Sequence, residues 1–294
     1  MPMAGFKYAA PRELDEALQL MASAQQPRPL AGGTDIVDQL KTGRRTADLV
    51  IEMKRIPQMQ RFDVEADGLH IGAARSCTDI RSHPEVPARY AALYEAAGLI
   101  GSVQIQNRAA LGGNICNAAP SADTAPALLV LDARAVVASS KGARLVELDR
   151  FFKGPGQTIL EKGELLTGIF VPTPAARSAS TYLRFIPRNE MDIAIAGVGC
   201  YLEIESSGLV KRARIALAAV APTPIRARIA ELALEGREIS DALIEAAAEA
   251  AVSAARPISD VRGSAEYRKD LVRVLTRRTL QACVQRINAG ERAS

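Results

Sequence analysis

Two glycine pairs, each followed by a polar residue, constrain this chain more than any other feature. The first lies in Ala31–Asp35 (AGGTD) and the second in Leu111–Asn117 (LGGNICN). Glycine accepts a positive φ and has no Cβ, so each pair allows the main chain to turn and to approach a ligand closely. Successive backbone N–H groups in such turns form a concavity that binds anions. Two such motifs predict one extended nucleotide held at both ends.

Composition excludes several classes of protein. The net charge is only +4, aromatic residues make up 4% and tryptophan is absent, which argues against single-stranded nucleic-acid binding. No apolar run approaches the roughly 20 residues that cross a bilayer. The N-terminal sequence lacks a charged region followed by an apolar core, so no signal peptide is expected and the predicted location is cytoplasmic.

Cysteine and histidine are sparse. The four cysteines, Cys77, Cys116, Cys200 and Cys283, are too far apart for a local zinc or iron–sulfur motif. They are expected to be small buried apolar residues. The two histidines, His70 and His83, are separated, which argues against a histidine-rich metal site and a serine-hydrolase triad.

The first 55 residues predict a βαβαβ unit. Apolar residues recur at helical spacing after Pro11, and short strands flank that helix. The strand that ends at Ala31 runs into the first glycine pair, where Thr34 and Asp35 are expected to cap the next helix. A strand, a glycine turn and a helix N-terminus together predict a phosphate seat.

Residues 56–175 predict several strands and short helices. The stretch from the second glycine pair through Asp123 is rich in small and polar residues, and we expect an irregular loop wrapped round a ligand. The domain boundary is predicted at Pro172–Pro174, giving domains 1–175 (subdomains about 1–55 and 56–175) and 176–294. The second domain is expected to hold three strands and three helices, listed as Thr181–Pro187, Ala194–Glu205, Val210–Val220, Thr223–Leu234, Ser240–Ala255 and Ala265–Ile287.

Four segments in this order make the match to one family specific: AGGTD, LGGNICNAAPSAD, RNEMDIAIAGVG and APTPIRARIAELALEG. The chain resembles the FAD-binding medium subunit of molybdenum hydroxylases, similar to carbon monoxide dehydrogenase medium chains and the flavin domain of xanthine dehydrogenase. The resemblance implies an α+β fold. It has an FAD-binding domain of two α/β subdomains, similar to vanillyl-alcohol oxidase (PCMH type), and then a smaller three-stranded antiparallel sheet with a helical bundle.

The resemblance also implies roles for residues around the two motifs. Those expected at the FAD diphosphate and ribityl chain are Leu30, Ala31, Gly32, Gly33, Thr34, Asp35, Ala110, Leu111, Gly113, Asn114 and Asn117. Asp123 matches the family aspartate that holds the adenosine ribose hydroxyls. Ile169 and Phe170 match apolar contacts around the adenine, and Arg188 and Ile195 fall in the segment that approaches the isoalloxazine ring.

The sequence departs from the family pattern at two positions. Ala110 stands where relatives usually carry Ser or Thr, which removes one side-chain hydrogen bond to FAD. Ile195 stands where some relatives carry Lys or Tyr next to the flavin, so the tuning of its potential is open. The cysteine-bearing insertion of 4-hydroxybenzoyl-CoA reductases is absent from the sequence.

Structural alternatives exist for most of these residues. Glycine pairs commonly serve as plain turns, and Asn114 and Asn117 could satisfy loop backbone groups. Asp123 could cap the helix that follows it, and Arg188 with Asp192 could form an ordinary surface ion pair. The basic C-terminal helix predicts a solvated face, or else a docking face for a partner.

The resemblance implies an FAD-carrying electron-transfer subunit with no catalytic side chain of its own, because the flavin performs the redox chemistry. It implies a molybdenum-cofactor large subunit and a [2Fe–2S] small subunit as partners, in a dimer of heterotrimers. The expected final acceptor is NAD, a quinone or oxygen. Two other functions stay open at this point: a stand-alone flavin oxidase of related fold, and a structural subunit without cofactor.

Overall fold

A small parallel sheet begins the chain in the computed structural model, which describes residues 5–188 and 190–293. Its strands lie in the order β1 (Lys7–Ala9), β3 (Leu49–Glu52), β2 (Pro27–Leu30), and the connecting helices are α1 (Leu14–Ser23) and α2 (Ile36–Lys41). This is the predicted βαβαβ order. Because parallel strands end at one edge of a sheet, the first glycine motif after β2 and the chain after β3 lie side by side.

The second part of the first domain is an antiparallel sheet covered by short helices. Its strands lie in the order β4 (Phe62–Val64), β5 (Gly68–Gly72), β10 (Leu165–Pro172), β6 (Arg134–Ser139), β7 (Gly142–Glu147). A hairpin of β8 (Phe152–Gly154) and β9 (Gln157–Thr158) stands apart. The helices are α3 (Cys77–Ser82), α4 (Glu85–Arg89), α5 (Ala91–Gly98), α6 (Val103–Gln106), α7 (Leu111–Asn117) and α8 (Thr124–Val130).

The second glycine motif is helical, which corrects the prediction of an irregular loop. Helix α7 spans the motif, and only the segment after Ala118, whose φ of 46° ends the helix, is irregular. Leu111 and Ile115 lie four positions apart and are both fully buried. Their burial on one face outweighs the low helix propensity of the two glycines.

The second domain is an antiparallel sheet backed by helices. Its strands run in sequence order, β11 (Ser178–Phe185), β12 (Ala196–Ile204), β13 (Val210–Ala218) and β14 (Ile225–Arg226). The helices are α9 (Arg228–Leu234), α10 (Asp241–Val252) and α11 (Ala265–Ala293). The three-strand prediction therefore missed β14, which pairs with the edge of β13. Pairing with that edge outweighs the local helical pattern that placed the start of α9 at Thr223.

Two hydrophobic cores lie on opposite sides of the second sheet. One contains the buried residues of the first domain, joined by Tyr182, Tyr201 and Ala216, and the other lies between the sheet and α9–α11. A Cβ on Gly199 would lie 2.9 Å from Pro126 O, so this glycine allows β12 to lie directly on α8. The sheet of the second domain thus packs on the first domain.

The ion pairs described below cross this joint with the same polarity. Glu95, Asp123, Asp132 and Asp149 belong to the first domain, and the arginines that they contact belong to the second. The pairs are Glu95–Arg286, Asp123–Arg184 (2.6 Å), Asp132–Arg214, Asp132–Arg226 (3.5 Å) and Asp149–Arg228 (2.6 Å). The joint is therefore acidic on one side and basic on the other.

Candidate functional site

The two glycine motifs meet in space. A Cβ on Gly32 would lie 2.2 Å from Arg108 O and 2.9 Å from the Cα of Ala109. Arg108 and Ala109 lie three and two positions before Leu111, the first residue of the second motif, so only a residue without a side chain fits where the two segments touch. The backbone contact at Gly32 fixes the first motif against the start of the second, as one nucleotide held at both ends requires.

The first motif presents a row of unpaired backbone donors. Gly33 has a φ of +80°, a conformation that favours glycine, and its carbonyl accepts the first bond of α2 from Val37 N. Within the described part of the chain, the N–H groups of Gly32, Gly33, Thr34 and Asp35 have no protein acceptor. A run of adjacent N–H donors without protein acceptors suits an anionic group.

The expected helix caps at this turn are not formed. Asp35 occupies the N-cap position of α2 without a side-chain capping bond. Its Oδ1 instead accepts a hydrogen bond from Asn117 Nδ2 at 3.2 Å, and Gln39 Nε2 donates to Asn117 Oδ1 at 3.0 Å. Asn117 thus ties the end of α7 to α2. The prediction missed Gln39, because no local pattern links residues 78 positions apart.

The two glycines of the second motif face different surroundings. A Cβ on Gly112 would lie 2.5 Å from the Cβ of Ala73, so Gly112 is required for packing of α7 on the β5–α3 connection. A Cβ on Gly113 would meet nothing within 4 Å, and Gly113 is exposed. Gly113 therefore has open space where a side chain would stand, while Gly112 is required by packing.

Asn114 is held by a neighbouring helix. Thr124 Oγ1 donates to Asn114 Oδ1 at 2.6 Å, and Thr124 is fully buried. Within the described residues Asn114 Nδ2 has no hydrogen-bond partner, which leaves two donor positions for a ligand or water.

Asp123 is a buried carboxylate at the joint between the domains. It is 6% exposed, its Oδ1 accepts from Tyr182 Oη at 2.7 Å, and its Oδ2 accepts from Arg184 at 2.6 Å. No side-chain capping bond to α8 is formed, so the capping alternative is wrong. Burial raises the pKa of Asp123 to about 6, although Arg184 and Tyr182 oppose the shift. Among the residues that the structure describes, the buried Nε of Arg184 has no hydrogen-bond partner.

Tyr182 and Arg184 were not predicted. They lie 59 and 61 positions from Asp123 in sequence, and nothing local in either segment indicates the contact.

The remaining residues predicted from the two motifs occupy structural positions, in a strand, in the first core or in a β-bridge. Leu30 ends β2, and its Cδ1 would lie 3.3 Å from a Cβ on Gly33. Ala31 packs on the first core, and Leu111 lies within it. Ala110 is extended and forms a β-bridge with Ser76.

The residues assigned to adenine and isoalloxazine differ in exposure: two are buried, one is half-buried and one is exposed. Ile169 and Ile195 are 1% and 2% exposed, and they belong to the first and second cores. The ring of Phe170 contacts that of His70 in a tilted arrangement, with centroids 4.9 Å apart. Arg188 forms a surface ion pair with Asp192 at 3.4 Å, as the structural alternative expected. Asn189, within the RNEMD segment, lies outside the described residues.

One group of possible metal ligands occurs among the described residues. Glu65, Asp67 and His70 bring ligand atoms within 4.8 Å of one another at an exposed turn, but Glu65 also pairs with Arg61. Of the four free cysteines, Cys77, Cys200 and Cys283 are buried, as predicted, and Cys116 is half-buried. None of the helices formed by residues 5–188 and 190–293 combines the length and hydrophobicity that a bilayer crossing requires.

Comparison with known proteins agrees with this geometry. Residues 4–174 match the family described as the FAD binding domain in molybdopterin dehydrogenase, and residues 181–283 match the CO dehydrogenase flavoprotein C-terminal domain. The chain is 33% identical to the carbon monoxide dehydrogenase medium chain of Hydrogenophaga pseudoflava, over 94% of this chain and 96% of that one. It is 32% identical to the xanthine dehydrogenase FAD-binding subunit of Escherichia coli O157:H7, over 92% and 93% of the two chains.

A solved structure of a carbon monoxide dehydrogenase has the same fold as this chain. The carbon monoxide dehydrogenase from Hydrogenophaga pseudoflava that lacks the Mo-pyranopterin moiety of the molybdenum cofactor contains a chain that superposes with a TM-score of 0.93. The two are 34% identical, and the match covers 97% of this chain and 99% of that chain.

The fold and the paired glycine motifs thus define a flavoprotein component of an oxidoreductase, with a mixed α/β architecture. The chain belongs to the family of FAD-binding medium subunits of molybdenum hydroxylases, which confirms the family predicted from its motifs. It carries the FAD-binding domain of that family, as predicted.

Proposed function

We propose that this chain is the FAD-containing electron-transfer subunit of a heterotrimeric molybdenum hydroxylase. Electrons would enter from [2Fe–2S] clusters in a small partner subunit, after substrate oxidation at a molybdenum cofactor in a large one. They would leave to an external acceptor such as NAD, a quinone or oxygen. The observation that carries the proposal is the contact of Gly32 with Arg108 O, which brings the two glycine motifs together.

The residues present fit an FAD diphosphate. Four consecutive N–H groups at Gly32–Asp35 find no acceptor among the described residues, and the space beside Gly113 is open. We propose that the first motif binds one phosphate through these donors and that Gly113 allows the second phosphate to approach α7. Asn114 Nδ2, which is free of protein partners in the described chain, would donate to the same cofactor.

We propose that Asp123 also binds a ribose hydroxyl of FAD, although both of its carboxylate oxygens already accept hydrogen bonds from the protein. Each of its oxygens already accepts one bond from the second domain, so a ribose hydroxyl would share an oxygen with Tyr182 or Arg184. The orphaned Nε of Arg184 supports a polar ligand or water nearby, because buried donors are rarely left unpaired.

FAD, when bound, supplies redox chemistry that can exchange electrons with both an iron–sulfur cluster and a two-electron acceptor. The chain itself binds and orients this cofactor and sets its electrostatic surroundings. We propose no catalytic acid, base or nucleophile.

Two sets of cofactor contacts stay predictions. They are the isoalloxazine contacts assigned to Arg188 and Ile195 and the adenine contacts assigned to Ile169 and Phe170. A dimer of heterotrimers and a cytoplasmic location are likewise proposed.

The absorbance spectrum of the purified chain, before and after reconstitution with FAD, tests the proposal. Flavin bands that bleach only when the partner subunits and their substrate are added support electron transfer from a partner. Bleaching by a small substrate without any partner would indicate a stand-alone oxidase. A chain that takes up no flavin after reconstitution would indicate a structural subunit.

A further inference from the structure

Lys54 lies where the two glycine motifs touch. It follows β3, whose end is fixed beside the first motif by a hydrogen bond from Met53 N to Leu30 O of 2.8 Å. The Nζ of Lys54 lies 3.4 Å from Arg108 O, the same carbonyl that contacts Gly32. The ammonium group is therefore placed at the carboxyl edge of the parallel sheet, where ligands of such sheets bind.

Lys54 and Arg108 lack counter-charges in the described chain. No carboxylate oxygen of the described residues lies within 4.0 Å of either cationic group. The oxygens of nearby Glu52 are engaged by the Tyr8 hydroxyl and by the main-chain N–H of Lys54. Burial and the charge of Arg108 lower the pKa of Lys54, and the charges of Glu52 and Asp79 offset this only partly.

We propose that Lys54, together with Arg108, supplies the positive charge that neutralises the diphosphate of FAD. Backbone N–H groups orient a phosphate but carry no net charge, whereas a diphosphate diester carries two negative charges. A half-buried ammonium with a single long contact to a carbonyl has further N–H donors for a phosphate oxygen. This inference rests on the proposed function and adds two residues that the resemblance did not supply.

The test is the affinity of the full chain, freed of flavin, for added FAD, measured by quenching of flavin fluorescence. Lys54→Gln is expected to raise the Kd roughly tenfold or more, because a charge-assisted hydrogen bond is lost. Lys54→Arg, which keeps the charge, is expected to restore binding close to that of the parent chain. Lys162→Gln is the matched control, since Lys162 is an exposed lysine distant in sequence from both motifs, and it should leave the Kd unchanged.

Two further measurements separate an ionic contact from a folding effect. The Kd of the parent chain should rise at alkaline pH as Lys54 loses its proton, and this rise should vanish in Lys54→Arg. Acetic anhydride should label Lys54 in the flavin-free parent chain and label it less after FAD is added. Parent-like affinity in Lys54→Gln, or labelling that FAD does not change, would overturn the inference while the proposed function stands. Failure of the parent chain itself to bind FAD would instead overturn the proposed function.

Discussion

Gly112 and Gly113 are adjacent in sequence but differ in what surrounds them. A Cβ on Gly112 would lie 2.5 Å from the Cβ of Ala73, whereas a Cβ on Gly113 would meet no atom within 4 Å. Packing of α7 therefore requires glycine at position 112, whereas glycine at position 113 leaves space for a ligand. This difference gives a way to separate cofactor binding from folding.

Gly113→Ala should weaken FAD binding without destabilising the chain. The new methyl group meets no protein atom, and replacing a helical glycine stabilises the flavin-free chain by up to about 1 kcal/mol. It would fill the space that we assign to the diphosphate, so we expect the Kd for FAD to rise roughly tenfold or more. Thermal unfolding and flavin fluorescence measure the two effects. Gly290→Ala is the control, because Gly290 lies in α11 and is equally open, and unchanged FAD affinity in Gly113→Ala would contradict the site.

Gly112→Ala should show the opposite pattern. Its Cβ would also lie 2.7 Å from Ala73 O, a backbone atom that cannot move aside without shifting β5 or α7. We expect the free energy of unfolding to fall by about 1–3 kcal/mol, as for other overpacked sites. Urea denaturation of the flavin-free protein measures this, and an unchanged midpoint would show that α7 can shift freely.

Gly33→Val should abolish FAD retention. A branched side chain at a φ of +80° is strained, and its Cβ would crowd Leu30 and Val37 at 3.3 and 3.4 Å. The row of N–H donors would turn away from the ligand. Gly43→Val is the matched control, because Gly43 has a φ of +71° with nothing within 4 Å and lies after α2. We expect both variants to lose stability through the strained φ, Gly33→Val somewhat more because of its closer neighbours. Loss of flavin, measured by absorbance after gel filtration, is expected only in Gly33→Val.

Asp123 should make the stability of the flavin-free chain depend on pH in an unusual direction. Its pKa is raised from an ordinary 3.8 to about 6, so the folded state binds the proton more tightly than the unfolded state. The contribution of Asp123 to the free energy of unfolding is therefore largest below pH 3.8 and falls as pH rises through about 6, by about 3 kcal/mol in all. Asp123→Asn should remove this component between pH 4 and 6.5, as measured by urea denaturation at each pH. Identical pH profiles in both proteins would contradict the raised pKa.

The role of Asp123 toward the cofactor is a separate question. If the carboxylate holds a ribose hydroxyl, Asp123→Ala should weaken FAD binding by about 1.5–3 kcal/mol. Tyr182→Phe is the comparison variant, because it removes one protein bond to the carboxylate and leaves both of its oxygens in place. Isothermal titration of the flavin-free variants with FAD measures both. An unchanged dissociation constant for Asp123→Ala would assign this residue to the domain joint alone.

Local sequence patterns predicted the elements whose periodicity is strong. In α1, Ala17, Leu18 and Met21 are buried at helical spacing, as expected. The glycine motifs are visible in the sequence as glycine pairs followed by polar residues. The structure requires glycine at the positive φ of Gly33 and at the contact of Gly32 with Arg108. What the sequence did not reveal depends on distant partners. Helix α7 is stabilised by burial of Leu111 and Ile115, and Asp123 is bound by side chains from another domain.

The same limit applies to Lys54. One lysine after a strand is unremarkable in a sequence with 37 lysines and arginines. It becomes a candidate only when the fold places it beside Arg108 O, which is 54 residues away.

The ion pairs between the domains suggest how the two halves would behave as separate polypeptides. Acidic groups stand only on the first half of these pairs and guanidinium groups only on the second. Separated at the Pro172–Pro174 connection, the fragments would attract each other at a distance and repel copies of themselves at these surfaces. Reassembly should then favour the correct pairing over self-association, and added salt should slow it.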